Sequence, residues 1–136
     1  MTYPCRHISI AINRSPGEVY EFASNPMNLP RWAAGLSQST ISKSEDGWIA
    51  DSPMGQVRVW FAKHNDFGVM DHDVKLPSGE VNHNPFRVVA NGDGSEVIFT
   101  LYQLPRMSAQ DFEADAQLIL ADLRKLKALL ESSGVS

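Results

Sequence analysis

Apolar and polar residues alternate along most of this chain, then change period near its end. Residues 6–12, RHISIAI, put Ile8, Ile10 and Ile12 on one side of an extended strand and His7, Ser9 and Ala11 on the other. From Ser108 the spacing lengthens. Phe112, Ala116, Ile119, Leu123, Leu126 and Leu130 recur at helical steps, which predicts an amphipathic helix running to about Glu131. Ser108 caps that helix, with Asp111 at its third position. Asp111, Glu113 and Asp115 near its start, and Arg124, Lys125 and Lys127 near its end, complement the helix dipole.

A short helical stretch follows the first strand. Ser15 is suited to cap it, Pro16 to occupy its first position, and Glu18 to reach back to the cap. That helix buries Val19, Phe22 and Ala23, and Asn25-Pro26 ends it. A second short helix carries Leu29, Trp32 and Leu36, with Pro30 in its first turn.

Between the helices, turns decide which side chains share a face. Leu76-Pro77-Ser78-Gly79-Glu80 predicts a type I turn with Gly79 in the left-handed position. It pairs Val74 with Asn82, His72 with Asn84 and Met70 with Phe86. Asn91-Gly92-Asp93-Gly94 pairs Ala90 with Ser95, and hence Val88 with Val97 and Phe86 with Phe99. A turn near Asp66-Phe67 pairs Phe61 with His72 and Val59 with Val74. One face then collects Val57, Val59, Phe61, Met70, Val74, Phe86, Val88, Val97, Phe99 and Leu101. Pro85 is a place for a bulge, because it has no N–H to give the ladder. A turn across Pro53-Met54-Gly55 pairing Ser52 with Gln56 puts Trp48 opposite Trp60 on the outer face, and turns Asp51 and Lys63 toward the inner rim.

The expected architecture is α+β: one curved antiparallel sheet of about seven strands wrapped around the long C-terminal helix, in a single domain over residues 1–136. Such a sheet leaves a cavity beneath the helix. The stretch ISIAINRSPGEVYEFASNPMNLPRWAAGL resembles the first strand and gripping helices of the START-like superfamily, also labelled SRPBCC, of polyketide cyclase/dehydrase and lipid-transport proteins. The stretch GVMDHDVKLPSGEVNHNPFRVVANGDGSEVIFTLYQLPRMS resembles one small bacterial branch of it. The resemblance implies the helix-grip fold with a hydrophobic cavity. It selects no activity, since that fold hosts carriers, hormone receptors, cyclases and aromatic-ring-binding domains.

His72 is the sharpest candidate for chemistry. The turns place it inside, beside Phe61 and opposite Asn84. Two roles are open to it: a general acid or base oriented by Asn84, or a hydrogen-bonded core histidine. Asn82 and Asn84 are inward amides, able to orient a ligand or hold buried water. Trp32, Phe61, Met70, Phe86, Phe99, Phe112 and Ile119 form the expected apolar lining, and Trp32 either stacks on a ligand or seals the helix pair. His83 faces Asp73 on the outer surface, and Arg87 lies diagonal to Glu96.

Composition narrows the field. The chain has 136 residues and a formal net charge of −4, without a basic cluster, so it lacks the electrostatic footprint of a nucleic-acid binder. No apolar run approaches the roughly 18 residues of a membrane span. The start, MTYPCRHISI, lacks the pattern of a signal peptide. The lone Cys5 has no internal disulfide partner, which fits a reducing, cytoplasmic setting. Its thiol has no evident His or Asp partner, so a catalytic role is not expected. Asp71-His72-Asp73 alternates faces and cannot converge on one ion; H-E-x-x-H, C-x-x-C and glycine-rich phosphate loops are lacking. No metal or cofactor is expected. Three functions follow: binding of a small apolar or amphipathic molecule, a cyclase, dehydratase or isomerase using His72, and an interaction or stress-response module with a vestigial pocket. The last could self-associate as a homodimer through its outer face.

Overall fold

The computed structural model describes residues 1–53 and 55–132. The chain runs β1 (Cys5–Ile12), α1 (Pro16–Ala23), α2 (Leu29–Trp32), β2 (Thr40–Lys43), β3 (Trp48–Ser52), β4 (Gly55–Phe61), β5 (His72–Lys75), β6 (Val81–Asn84), β7 (Phe86–Asn91), β8 (Gly94–Tyr102) and α3 (Ala109–Ser132). Tight 3-10 turns at Pro26–Asn28 and Ala34–Leu36 flank α2. The fold is α+β, with curved antiparallel sheets packed against a long C-terminal helix.

Local chemistry accounts for the helix starts. Ser15 Oγ accepts from the Glu18 N–H at 3.3 Å and donates to the Glu18 carboxylate at 3.1 Å. Ser108 and Asp111 cap α3 reciprocally. The Asp111 N–H donates to Ser108 Oγ at 3.0 Å, and the Ser108 N–H to Asp111 Oδ2 at 3.3 Å. The predicted stripe then faces inward, with Ala116, Leu123, Leu126 and Leu130 buried and Phe112 and Ile119 half-buried. In α1, Val19 and Ala23 are buried as expected and Phe22 packs half-buried against the core, with Tyr20 buried beside them. The Arg31 guanidinium lies over the Phe22 ring, 5.1 Å from its centroid.

Among the described residues eight strands form, in two sheets ordered β1-β8-β7 and β2-β3-β4-β5-β6, where one sheet of about seven was expected. Pro85 is the reason. Without an N–H it ends the pairing of β6 with β5 at Asn84, and β7 begins at Phe86 against β8. Its carbonyl accepts from the Thr100 N–H at 3.0 Å. The segment before β5 crosses the break. The Met70 N–H donates to the Phe86 carbonyl at 2.7 Å, and the Val88 N–H to the Gly68 carbonyl at 3.0 Å. Gly68 has φ +72, and a Cβ there would lie 2.2 Å from the Val88 carbonyl oxygen, so only glycine permits this approach. The Asp71 carboxylate supplies what the ladder lacks. It accepts from the Phe86 N–H at 2.8 Å and from the Arg87 guanidinium at 2.8 and 3.1 Å. Arg87 therefore pairs with Asp71 and not Glu96, which instead accepts from Asn91.

The turns at Leu76–Glu80 and Asn91–Gly94 give the predicted registers. The turn after β3 does not. Ser52 pairs with Gly55, whose φ of +121 lets the strand resume at once, so the register slips by one residue. Met54 lies outside the described residues. Trp48 then pairs with Val59 and packs on the cluster of Ala50, Val57 and Val59, while Trp60 pairs with Asp73. The outer tryptophan pair does not form. Asp51 faces outward, accepting from Gln56 at 3.3 Å, and Lys63 is exposed beyond β4.

The seam yields a contrast. Asp71→Ala strands the Phe86 N–H and should cost about 1–3 kcal/mol of stability. Arg87→Ala removes an exposed partner only and should cost under about 1 kcal/mol. Urea unfolding of both variants checks this, and equal losses would count against the role given to the carboxylate.

Candidate functional site

An aromatic cluster forms where the two sheets meet beneath α3. Phe86, fully buried, is its centre. Trp32 from α2 stacks on it with centroids 5.8 Å apart, and Phe99 from β8 tilts against it at 5.7 Å. His72 meets it edge-on at 5.9 Å, lies nearly parallel to Phe61 at 4.8 Å, and touches Phe99 at 6.2 Å. Met70 is buried in the same core.

Beside this cluster lies an inner cavity of about 180 Å³. Leu29, Trp32, Ala33 and Leu36 close one side, Val59, His72, Val74 and Phe99 form the sheet wall, and Ile119, Asp122 and Leu123 of α3 cover it. Three of these wall residues carry polar side-chain groups. His72 Nδ1 lies 3.0 Å from the Met70 carbonyl. A carbonyl only accepts, so Nδ1 carries the proton and the neutral ring leaves Nε2 as a lone-pair acceptor. Nε2 has no partner among the described residues. Burial pushes the His72 pKa below its ordinary value, opposed by the bond to Met70 and by the nearby Asp71 charge. Trp32 Nε1–H is buried without an acceptor among the described residues. Asp122 accepts from the Ala34 N–H at 3.1 Å, and burial raises its carboxyl above the ordinary range despite that bond and Lys125.

An outer groove of about 1040 Å³ lies farther along α3. It runs between the N-terminal segment, β6, the end of β8 and the first turns of α3. Asn82 and Asn84 line it, and Asn82 Oδ1 is buried without a donor among the described residues. Arg106 pairs with Glu80 at its rim.

The predicted site residues are thus divided. Trp32, His72, Phe99 and Ile119 wall the inner cavity, with Phe61, Met70 and Phe86 supporting it from behind. Asn82 and Asn84 belong to the groove, and Phe112 lines neither space. Although Asn84 is the register partner of His72, the group that holds its Nδ1 is the Met70 carbonyl, two residues earlier in the segment before β5. Asp122 was not anticipated. A carboxylate within the helical pattern reads as solvated, whereas in the fold it accepts from the Ala34 N–H and is partly buried. On the outer face, His83 Nδ1 lies 2.6 Å from Asp73, the surface pair expected there. Among the described residues no cluster of three metal-ligating side chains occurs, and no helix is long and apolar enough to cross a membrane.

No protein-family model matches this chain, and no curated protein matches its sequence. Solved structures do match its fold. XoxI from Bacillus cereus superposes with a TM-score of 0.71 at 13% identity, over 100% of both chains. Ara h 8.0201 gives 0.69 at 10% identity, over 96% of this chain and 99% of its own. DynU16, a protein of the dynemicin biosynthetic locus, gives 0.73 at 12% identity over 96% of this chain, which spans 48% of the DynU16 chain. At such identities the likeness establishes the helix-grip fold alone.

His72 has a signature in pH. The unfolded chain binds a proton near the ordinary histidine value of 6.5, while the folded ring resists it. Its contribution is complete above that pH and is lost as pH falls below it. The stability difference between the native chain and His72→Phe should therefore narrow from about pH 7 to about pH 5. Thermal unfolding across that range measures it, and a constant difference would mean that His72 protonates as freely folded as unfolded.

Proposed function

We propose that this protein binds a small apolar or amphipathic molecule beneath α3, with the inner cavity as the primary site. The observation that carries this reading is a partly open space of about 180 Å³ with mainly apolar walls beneath the helix. Protein interiors hold few voids larger than a water, and an apolar cavity of about 150 Å³ suffices to take up benzene. His72 Nε2 adds an acceptor without a protein partner, the kind of polar group that orients a ligand in an apolar site. The whole chain then acts as one binding domain.

A second reading is favoured by one feature, the fixed tautomer of His72. A neutral imidazole with Nε2 unpaired is the form required of a general base, and Asp122 in the same cavity wall is a carboxyl that burial makes easier to protonate. Cyclase, dehydratase and isomerase chemistry uses such a pair, and DynU16 comes from a biosynthetic locus. The interaction-module reading loses the outer tryptophan pair that motivated it.

Binding is tested by filling the space. Ala33→Leu places a larger side chain in the cavity wall. It should abolish uptake of small apolar probes, measured by thermal shift and calorimetry, while the unfolding midpoint stays the same or rises. Native mass spectrometry of the purified chain gives an independent reading. Probe affinity unchanged by Ala33→Leu would remove the inner cavity from the proposal.

A further inference from the structure

We infer, resting on the binding reading above, that residues 33–39 form a flap over the inner cavity, latched to α3 by the hydrogen bond from the Ala34 N–H to Asp122, and that a small guest enters and leaves when this latch releases. The walls of the cavity are held unequally. Val59, His72, Val74 and Phe99 lie in strands tied to their neighbours by ladder bonds. Ile119, Asp122 and Leu123 belong to the middle of α3, which Lys127 fastens to the Ala11 carbonyl of β1. Leu29 and Trp32 are buried in the core, and Trp32 stacks on Phe86. The remaining wall residues are Ala33 and Leu36, and both sit on the flap.

Little else holds the flap. Its backbone bonds stay local: the Ala33 N–H donates to the Leu29 carbonyl, that of Leu36 to Ala33, that of Ser37 to Ala34 and that of Ser39 to Leu36. Among the described residues, the bond from Ala34 to Asp122, at 3.1 Å, is the one hydrogen bond that joins the segment to α3 or to a sheet. Residues 33–39 carry no charged side chain that could add an ion pair. Ala34 and Gly35 are exposed, and a Cβ on Gly35 would meet nothing within 4 Å, so no neighbour packs over the turn. Leu36 is the plug, half-buried against both apolar clusters. Ser39 Oγ is buried without a partner among the described residues. An unpaired buried hydroxyl is a penalty that the closed flap carries and that contact with water removes. The hinge lies at Ala33, whose extended backbone, φ −91 and ψ 103, breaks the run of α2 beside the fixed Trp32 ring. A segment with local bonds and one outside tie opens at lower cost than the elements around it.

The test cuts the latch from each side. Ala34→Pro removes the donor, and the backbone already suits it: Ala33 is extended, as a residue before proline should be, and position 34 opens the 3-10 turn, where proline fits. Asp122→Ala removes the acceptor. The probe is fluorobenzene, close to benzene in size, with its exchange into and out of the full chain followed by ¹⁹F NMR. Ala34→Pro should raise the entry and exit rates alike, by about five- to tenfold, and leave affinity within about twofold, because the latch closes the flap with and without a guest. Asp122→Ala should also speed exchange, and the double variant should be no faster than the faster single one, since both remove the same bond. Should Ala34→Pro fail to fold, Asp122→Ala against Asp122→Asn, which keeps an acceptor and should stay near native, carries the kinetic comparison. Amide hydrogen exchange needs no guest. The Leu36 and Ser39 N–H groups should exchange faster than those of β4 and β5, and cutting the latch should speed the first set alone. Fluorobenzene rates that neither single substitution changes, rates that multiply in the double variant, or Leu36 and Ser39 amides as slow as those of β4 overturn the flap and leave the cavity reading intact. No uptake of fluorobenzene by the native chain removes both.

Discussion

The carboxylate of Asp71 closes a gap that the chain itself creates. Pro85 interrupts the sheet by removing one donor and one ladder bond. The Phe86 N–H beyond it would be stranded, and Asp71 takes it while holding Arg87 on the outside. The guanidinium and the Phe86 N–H in turn keep the Asp71 carboxyl ionised, below the usual carboxylate range, against the opposing effect of burial. The break and its repair leave Phe86 fixed at the point where the two sheets diverge. Trp32, His72 and Phe99 all lean on Phe86, so the geometry of the inner cavity rests on this one junction.

α3 covers both spaces, and its two halves are held differently. Near its C-terminal end, Lys127 Nζ donates to the Ala11 carbonyl at 2.8 Å and to Glu131 at 2.7 Å, while Glu131 also accepts from the Asn13 N–H at 2.7 Å. Arg14 adds a bond to the Glu131 carbonyl at 3.0 Å. Ser95, buried, ties the same corner through the Arg14 carbonyl. Toward its start, α3 is met by the exposed pair of Arg6 with Glu113 and borders the open groove. Exposed pairs contribute little to stability, so the first turns of α3 are secured mainly by their cap and apolar stripe.

How far this could be read from sequence depended on turn chemistry. Where a turn residue has one favoured conformation, as at Gly79 or in Asn91-Gly92-Asp93-Gly94, register follows, and with it the faces of His72, Asn84 and Phe99. At Pro53-Met54-Gly55 two turn lengths suit the same residues, and the shorter one reverses Trp48 and Asp51. Sequence also placed His72 inside but could not name its partner, since a backbone carbonyl two residues away leaves no mark in side-chain identity. Asp122 and Tyr20 escaped for a related reason. Tyr20 accepts the Asn65 N–H at 3.0 Å through its hydroxyl, a contact between segments whose proximity only the folded chain reveals.

The division of inward positions between two spaces bears on how such a protein can diversify. Along β8, Phe99 serves the inner cavity and Leu101 the groove; along α3, Ile119 serves the one and Asp115 the other; β5 and β6 divide in the same way. Residues that do not share partners tend to act independently when substituted. A lineage can therefore drift in its groove, changing charge or reach at Asn82, Arg106 or Asp115, while the aromatic chamber behind stays as it was. The same scaffold then carries two spaces whose linings can change at separate rates.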